Sequence, residues 1–235
     1  YMDGDLEIEG NLYYALDHFL GQMGKFSTDE TALKKLMHSS VTKKNQKKEV
    51  QSHYDIGNDF YSLWLDETMS YSCGYFRHVD DSLEQAQRNK VDYILEKLHL
   101  KEGMNLLDIG CGWGFLLIEA AKKYGVHGVG ITLSEEQYKE CQSRIEDEHL
   151  EDLVKVELMD YRDLLEYGQK FDRVVSVGMV EHLGRDNYQL FMDCVKKVMK
   201  PGALFLLHFI SALKEHPGDP WIKKYIFPGG VVPSL

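Results

Sequence analysis

No run in this 235-residue chain approaches the roughly 20 apolar residues that a membrane span needs. The four cysteines, Cys73, Cys111, Cys141 and Cys194, include no Cys-x-x-Cys pair. That speaks against zinc and disulfide frameworks and fits a reducing cytosol. Basic residues are in deficit, with a net charge of −11, which argues against nucleic acid as a partner. The same deficit argues against whole-protein attraction to anionic lipid and leaves only a local basic patch for that purpose. No secretory leader pattern is visible, so the expected location is cytoplasmic. The length suffices for one full α/β core plus an accessory segment. Both ends read as internal: the chain opens on Tyr1, and Gly229-Gly230 followed by Val231-Val232 leads toward a further element.

Three regions follow from pattern. Residues 1–37 read as a small unit, with a short exposed strand at Leu6–Ile8 and a helix over Asn11–Leu20 that puts Leu12, Leu16, Phe19 and Leu20 on one face. Ser27-Thr28-Asp29-Glu30 caps a second short helix ending at Leu36. Residues 38–48, polar and holding four lysines, read as a linker, with a lipid-headgroup contact as the second reading. Residues 49–235 form the main unit. It opens with short helices at Val50–Tyr54 and Asn58–Leu65 and a loop, Met69–Phe76, rich in small and aromatic residues. A helix capped by Ser82 then runs to Leu98 with Ala86, Val91, Ile94, Leu95 and Leu98 as its apolar stripe.

The remainder alternates strands and helices. Strands are predicted at Asn105–Ile109, Gly128–Ile131, Val154–Leu158, Arg173–Val177 and Ala203–Phe209, and helices at Phe115–Tyr124, Glu135–Glu148 and Asp186–Met199. This is the pattern of an α/β fold with a doubly wound, mostly parallel sheet, whose ligands sit beyond the carboxyl ends of the strands. The first strand runs into Gly110-x-Gly112-x-Gly114, a loop where a ligand can approach bare backbone and the following helix presents free N–H groups. The spacing is tighter than the dinucleotide Gly-x-Gly-x-x-Gly. With the acidic Asp108 ahead of it, it resembles the first motif of S-adenosylmethionine (SAM) methyltransferases.

Other strand ends supply further candidates. Asp108 is either a ligand acceptor or an anchor for the loop. No carboxylate stands at the end of the second strand, where a ribose is usually gripped; Gln137, or backbone near Thr132 and Leu133, takes that place, although Ser134-x-x-Gln137 is also a capping box. Asp160-Tyr161-Arg162 follows the third strand as either an adenine contact or a surface turn. Glu181-His182 and His208 end the fourth and fifth strands. A carboxylate and an imidazole on adjacent strands, with Cys73 in reach from the aromatic loop, suit acid–base or anion-positioning work.

The run Gln51–Tyr61 (QSHYDIGNDFY), Thr68–Phe76, Leu107–Gly114, Gly130–Ser134 with Gln137, Ser176–Gly184, His208 and Phe227-Pro228-Gly229-Gly230 together resemble the cyclopropane fatty acid and mycolic acid cyclopropane synthases. The similarity runs from about residue 48 to 235, and Tyr1–Gly10 resembles part of the small amino-terminal domain of the phospholipid-acting members. The resemblance implies SAM as cofactor and an unsaturated phospholipid acyl chain in a bilayer as substrate, met by peripheral contact at the inner membrane face. It implies a cyclopropane product, bicarbonate as base, and a homodimer. Carried over residue by residue, the bicarbonate cage is Cys73 (through its backbone), Val177, Glu181 and His208, with one further tyrosine of the family beyond Leu235. Tyr54 and Tyr71 fall where aromatic faces stabilise a cation, with ordinary core packing as the alternative. The implied cofactor contacts are Tyr71, Ser72, Gly110, Gly112, Thr132, Leu133, Gln137, Tyr161 and Arg162. Related lipid C-methyltransferases, amine N-methyltransferases and a non-catalytic SAM- or lipid-binding module are the competing readings.

Overall fold

A computed structural model describes residues 9–22, 43–214, 219–227 and 229–234. The strand expected at Leu6–Ile8, the capped helix expected from Ser27 to Leu36, and residues 38–42 of the expected linker lie outside the described residues.

Five strands form one parallel sheet: β1 (Asn105–Ile109), β2 (His127–Thr132), β3 (Val154–Leu158), β4 (Phe171–Val177) and β5 (Met199–His208), in the order β3-β2-β1-β4-β5. Four helices accompany the sheet: α4 (Leu83–Leu98), α5 (Phe115–Tyr124), α6 (Glu135–Asp147) and α7 (Tyr188–Val198). Ahead of them stand α1 (Leu12–Gln22), α2 (Lys43–Tyr54) and α3 (Asn58–Ser62); α8 (Pro220–Tyr225) follows the sheet. Among the described residues no helix is long and apolar enough to cross a membrane.

Strand period divides the core into two. Leu106 and Val175 point to the face covered by α4, α5 and α6, where Leu95, Leu98, Leu117 and Ile145 are buried. Their neighbours Leu107 and Val174 point to the other face, against Leu164 and the α7 residues Phe191, Val195 and Val198. Burial on both faces explains why β1 reads as a nearly unbroken apolar run. The reversal of strand order lies at β1, whose neighbours are β2 and β4, so the crevice of this fold opens beyond the carboxyl ends of those strands.

Helix ends follow local chemistry. Ser82 Oγ accepts from Gln85 N at 3.1 Å to start α4, and His99 in the left-handed region (φ 48°) stops it. The Gln85 side chain donates instead to Asn89 Oδ1, so only half of the capping box forms. Most boundaries shift by a residue or two, Asn58–Leu65 shortens to Asn58–Ser62, and two differ by more. Lys43–Lys48, read as linker, is the first half of α2; lysine is a good helix former, and Lys43 pairs with Asp163 at 2.5 Å. β5 begins at Met199, ahead of Pro201-Gly202, because its pairing with β4 shifts register between Phe171↔Met199 and Arg173↔Leu204. Such a shift, in a strand hydrogen-bonded to β4 alone in this sheet, accommodates proline.

One glycine outside the turns is fixed by close approach. A Cβ on Gly130 of β2 would meet Leu117 Cδ1 at 2.7 Å and Cys111 Sγ at 2.8 Å, whereas one on Gly168 would meet nothing within 4 Å. Gly130→Ala is expected to cost about 1–3 kcal/mol through overpacking, while Gly168→Ala leaves the midpoint unchanged. Thermal melts of the two variants check this, and equal midpoints would contradict the packing at Gly130.

Candidate active site

The loop after β1 is anchored by the neighbouring strand. Gly110 N and Cys111 N both donate to the Ile131 carbonyl, at 3.0 and 3.1 Å. These two bonds do not involve the Asp108 side chain. Asp108 is 3% exposed and its Oδ1 is buried without a hydrogen-bond partner. Gly110 and Gly112 take φ of 80° and 55°, conformations that a Cβ disfavours. Gly110 is also crowded by Met179 Cγ, 3.0 Å from where a Cβ would stand.

A single cavity lies over this loop. Asp108, Gly110, Gly112, Thr132, Leu133, Gln137, Tyr161, Tyr71 and Ser72 line it among the expected cofactor contacts, and Tyr54 and Val177 among the expected catalytic ones. Gly114, Arg162, Cys73, Glu181 and His208 are not on its wall. Gly114 caps α5 and faces Cys141 Sγ. Arg162 lies over the Tyr161 ring, 4.8 Å from its centroid, and its Nη1 donates to Asp160 Oδ2 at 3.2 Å. Asp160 and Tyr161 are both buried, so this segment is not a surface turn.

At the end of β2, Ser134 Oγ accepts from Gln137 N at 3.2 Å, so the cap does form. The Gln137 side chain is also buried, its Oε1 accepting from Thr132 Oγ1 at 2.8 Å, a bond that does not use its Nε2. The cap and a place for the Gln137 side chain on the cavity wall therefore coexist.

The second wall is aromatic, and one bond ties it to the loop. Trp113, between Gly112 and Gly114, is buried and donates Nε1–H to Asn58 Oδ1 at 2.8 Å. This places α3 over the loop, with Tyr61 packed at 5.2 Å and Tyr54 at 6.2 Å from the Trp113 ring. Tyr71 faces Trp64 at 5.0 Å and stacks on His53 at 5.6 Å. Ser134 Oγ donates to Asp55 Oδ1, fastening the end of α2 to the loop after β2.

Burial sets the charge of these groups. It pushes the Tyr54 and Tyr61 hydroxyls above the ordinary phenol range. It lowers His53 and His182 to about 4, the latter helped by proximity to His53. His182 Nε2 lies 3.3 Å from the Tyr54 hydroxyl.

Glu181 and His208 sit beside the cavity. Glu181 Oε1 accepts from Ile210 N at 2.7 Å, two residues past His208, and Gly178 N donates to the His208 carbonyl at 2.9 Å. The strand ends thus adjoin, but no hydrogen bond joins the two side chains. Glu181 Oε2 and His208 Nδ1 are each buried without a partner. Burial raises the Glu181 carboxyl, and burial followed by the charge of Lys90 lowers His208. The Cys73 thiol is exposed.

Four residues that the sequence reading left unassigned shape this site: Asn58, Trp113, His182 and Lys90. Lys90 left the clearest trace, since it stands four residues after Ala86 and four before Ile94, inside the buried stripe of α4.

Comparison with known proteins places this geometry. The family model for mycolic acid cyclopropane synthetase matches residues 41–235. The cyclopropane-fatty-acyl-phospholipid synthase of Escherichia coli K12 is 49% identical over 79% of the chain and 47% of its own length. A probable fatty acid methyltransferase of Pseudomonas putida is 40% identical over 100% of the chain and 61% of its own length. The chain therefore spans only about half to three-fifths of these relatives. The structure of the cyclopropane synthase CmaA1 with SAH and CTAB superposes with a TM-score of 0.73 at 37% identity, over 80% of this chain and 70% of that one.

Burial raises Asp108 from 3.8 to about 7. A carboxyl that keeps its proton better folded than unfolded is neutral in both states below about pH 4. Its penalty grows as pH rises through the window up to about 7 and is complete above it. In the ligand-free protein, Asp108→Asn should therefore gain stability relative to wild type between about pH 4 and about pH 8. Denaturant titrations at both ends measure the gap, and a gap independent of pH would exclude titration of Asp108 there.

Proposed function

The chain belongs to the mycolic acid cyclopropane synthetase family, and on that premise we propose that it carries the catalytic unit of a SAM-dependent enzyme that converts a cis double bond of an unsaturated phospholipid acyl chain into a cyclopropane. The observation that supports this most is the single cavity, which joins the glycine loop to the aromatic wall.

The residues fit both implied groups. For SAM, the loop offers bare backbone at Gly110 and Gly112, a buried unpartnered Asp108 carboxyl suits a cationic amine, and Gln137 suits hydroxyl groups. For bicarbonate, Glu181 Oε2 and His208 Nδ1 are two buried polar atoms in want of partners at adjoining strand ends. When bound, SAM supplies a sulfonium methyl and bicarbonate supplies a base for the proton lost as the ring closes.

The chain's own residues do the rest. Tyr71, Ser72, Thr132, Leu133, Tyr161 and Arg162 are assigned to holding and enclosing the cofactor. Tyr54 and Tyr71 line the cavity, where an aromatic face presented to the acyl carbons would stabilise positive charge by about 0.5–2 kcal/mol. Their raised pKa values keep the phenols neutral, and so do the lowered values at His53 and His182. Glu181 is fixed by Ile210 N, and a carboxyl with a raised pKa faces an anion at reduced cost because it can be protonated. Val177 and the Cys73 backbone complete that enclosure. Exposed Ile56, Phe60, Leu63 and Trp64, around α3, supply an apolar surface beside the cavity for peripheral contact with a bilayer.

A methyl-branching reaction on the same acyl chain is the second reading, favoured by the similarity to the P. putida protein along the whole chain. Incubation of the purified protein with methyl-labelled SAM and vesicles of unsaturated phospholipid separates the two. Cyclopropanation adds one labelled CH₂ and removes the double bond, with a rate that depends on bicarbonate; branching leaves a reducible double bond or a methyl branch. No labelled lipid would sink both. Glu181→Gln is expected to cut turnover about 10²–10⁴-fold while leaving SAM affinity within about twofold. Single-turnover kinetics with calorimetric titration would show this, and an unchanged rate would remove Glu181 from the mechanism.

A further inference from the structure

Lys90 sits on α4 with its side chain inside the protein, 6% exposed, and it lines the cavity. Its Nζ donates to Ser72 Oγ at 2.6 Å. An ammonium carries three donors, and among the described residues no carboxylate stands within salt-bridge distance of this one. Asp66 is near enough to favour the charged form; its Oδ2 accepts from Thr68 N, and its Oδ1, buried without a hydrogen-bond partner, makes no bond to Lys90. Buried lysines are ordinarily paired.

Holding the loop in place does not explain the residue. One turn earlier, Gln87 Nε2 already donates to the carbonyls of Ser70 and Ser72, at 3.1 and 2.8 Å. The backbone of that loop is thus fixed without Lys90, which binds only a hydroxyl.

The same cavity holds the complementary vacancy of charge. Asp108 lines it with a buried, unpartnered carboxyl oxygen, and Asp108 and Lys90 form no ion pair with each other. One cavity therefore presents an unpartnered carboxyl oxygen and an ammonium bonded only to a hydroxyl, the counterpart of a ligand end that carries both an ammonium and a carboxylate.

We infer that Lys90 is the counter-ion for the carboxylate at the amino-acid end of SAM, with Ser72 Oγ orienting the ammonium toward it. This rests on the cofactor reading above. Charge-assisted contacts of this kind separate ligands by about tenfold or more, so the assignment can be read from binding alone.

The test titrates S-adenosylhomocysteine and its decarboxylated analogue into wild type, Lys90→Met and Lys90→Arg by calorimetry. Wild type should favour the carboxylated ligand by about tenfold or more. Lys90→Met should lose that preference while keeping its affinity for the decarboxylated analogue within about twofold, and Lys90→Arg should recover part of it. Retained binding of the analogue also shows that the methionine variant is folded; if that variant does not fold, Lys90→Gln takes its place. A variant that weakens both ligands equally, or neither, overturns the inference. So does unchanged S-adenosylhomocysteine affinity with a raised bicarbonate requirement for turnover, which would give the cation to bicarbonate instead. If wild type binds neither ligand, the cofactor reading itself fails, independently of Lys90.

Discussion

The Trp113–Asn58 hydrogen bond connects two parts of the molecule that otherwise follow separate rules. On one side is the parallel sheet, whose strand ends and glycine loop are dictated by apolar runs and backbone geometry. On the other is the aromatic segment ahead of it, short in regular structure and rich in rings. An indole N–H buried among aromatic rings needs an acceptor, and the acceptor is supplied by a residue 55 positions earlier. That one bond sets the distance between the loop and α3, and the cavity is the space left between them. The second fastening, from Ser134 to Asp55, acts at the next strand end. Together they turn a generic nucleotide-type crevice into one with an aromatic lid.

The site carries an electrostatic cost. Buried polar atoms without partners are rare in folded proteins, yet Asp108, Glu181, His208 and His53 each contribute one here. Groups left in that condition are destabilising, and their concentration at the carboxyl edge of the sheet marks where folding has been compromised for chemistry. The compensation lies in the two-faced core, where Leu106 and Leu107, adjacent in sequence, are both fully buried on opposite sides of β1.

Much of this was legible in the sequence, for reasons that differ by element. β1 and α5 have the boundaries that their apolar residues and flanking glycines predict, and β3 those of its alternating Val154, Val156 and Leu158. The helix at Lys43 was not legible, because its first turns carry no apolar stripe; what ties it to the fold is an exposed ion pair to Asp163 and the buried His53 near its far end. The start of β5 was hidden by Pro201-Gly202, which reads as a turn unless the register shift with β4 is known. At the site, Asp108, Gly110, Thr132 and Val177 could be placed on one cavity wall because topology brings strand ends together. Asn58 was missed because its partner, Trp113, lies across the fold; Lys90 was missed although its place in the apolar stripe of α4 was visible in the sequence.

The lowered values at His53 and His182 carry a consequence for the physiology of the site. Both imidazoles stay neutral down to about pH 4, so moderate acidification puts no charge on the aromatic wall. A cationic ligand arriving in a mildly acidic cell would meet the same unrepelling surface as at neutrality. The wall is buffered by its own dryness.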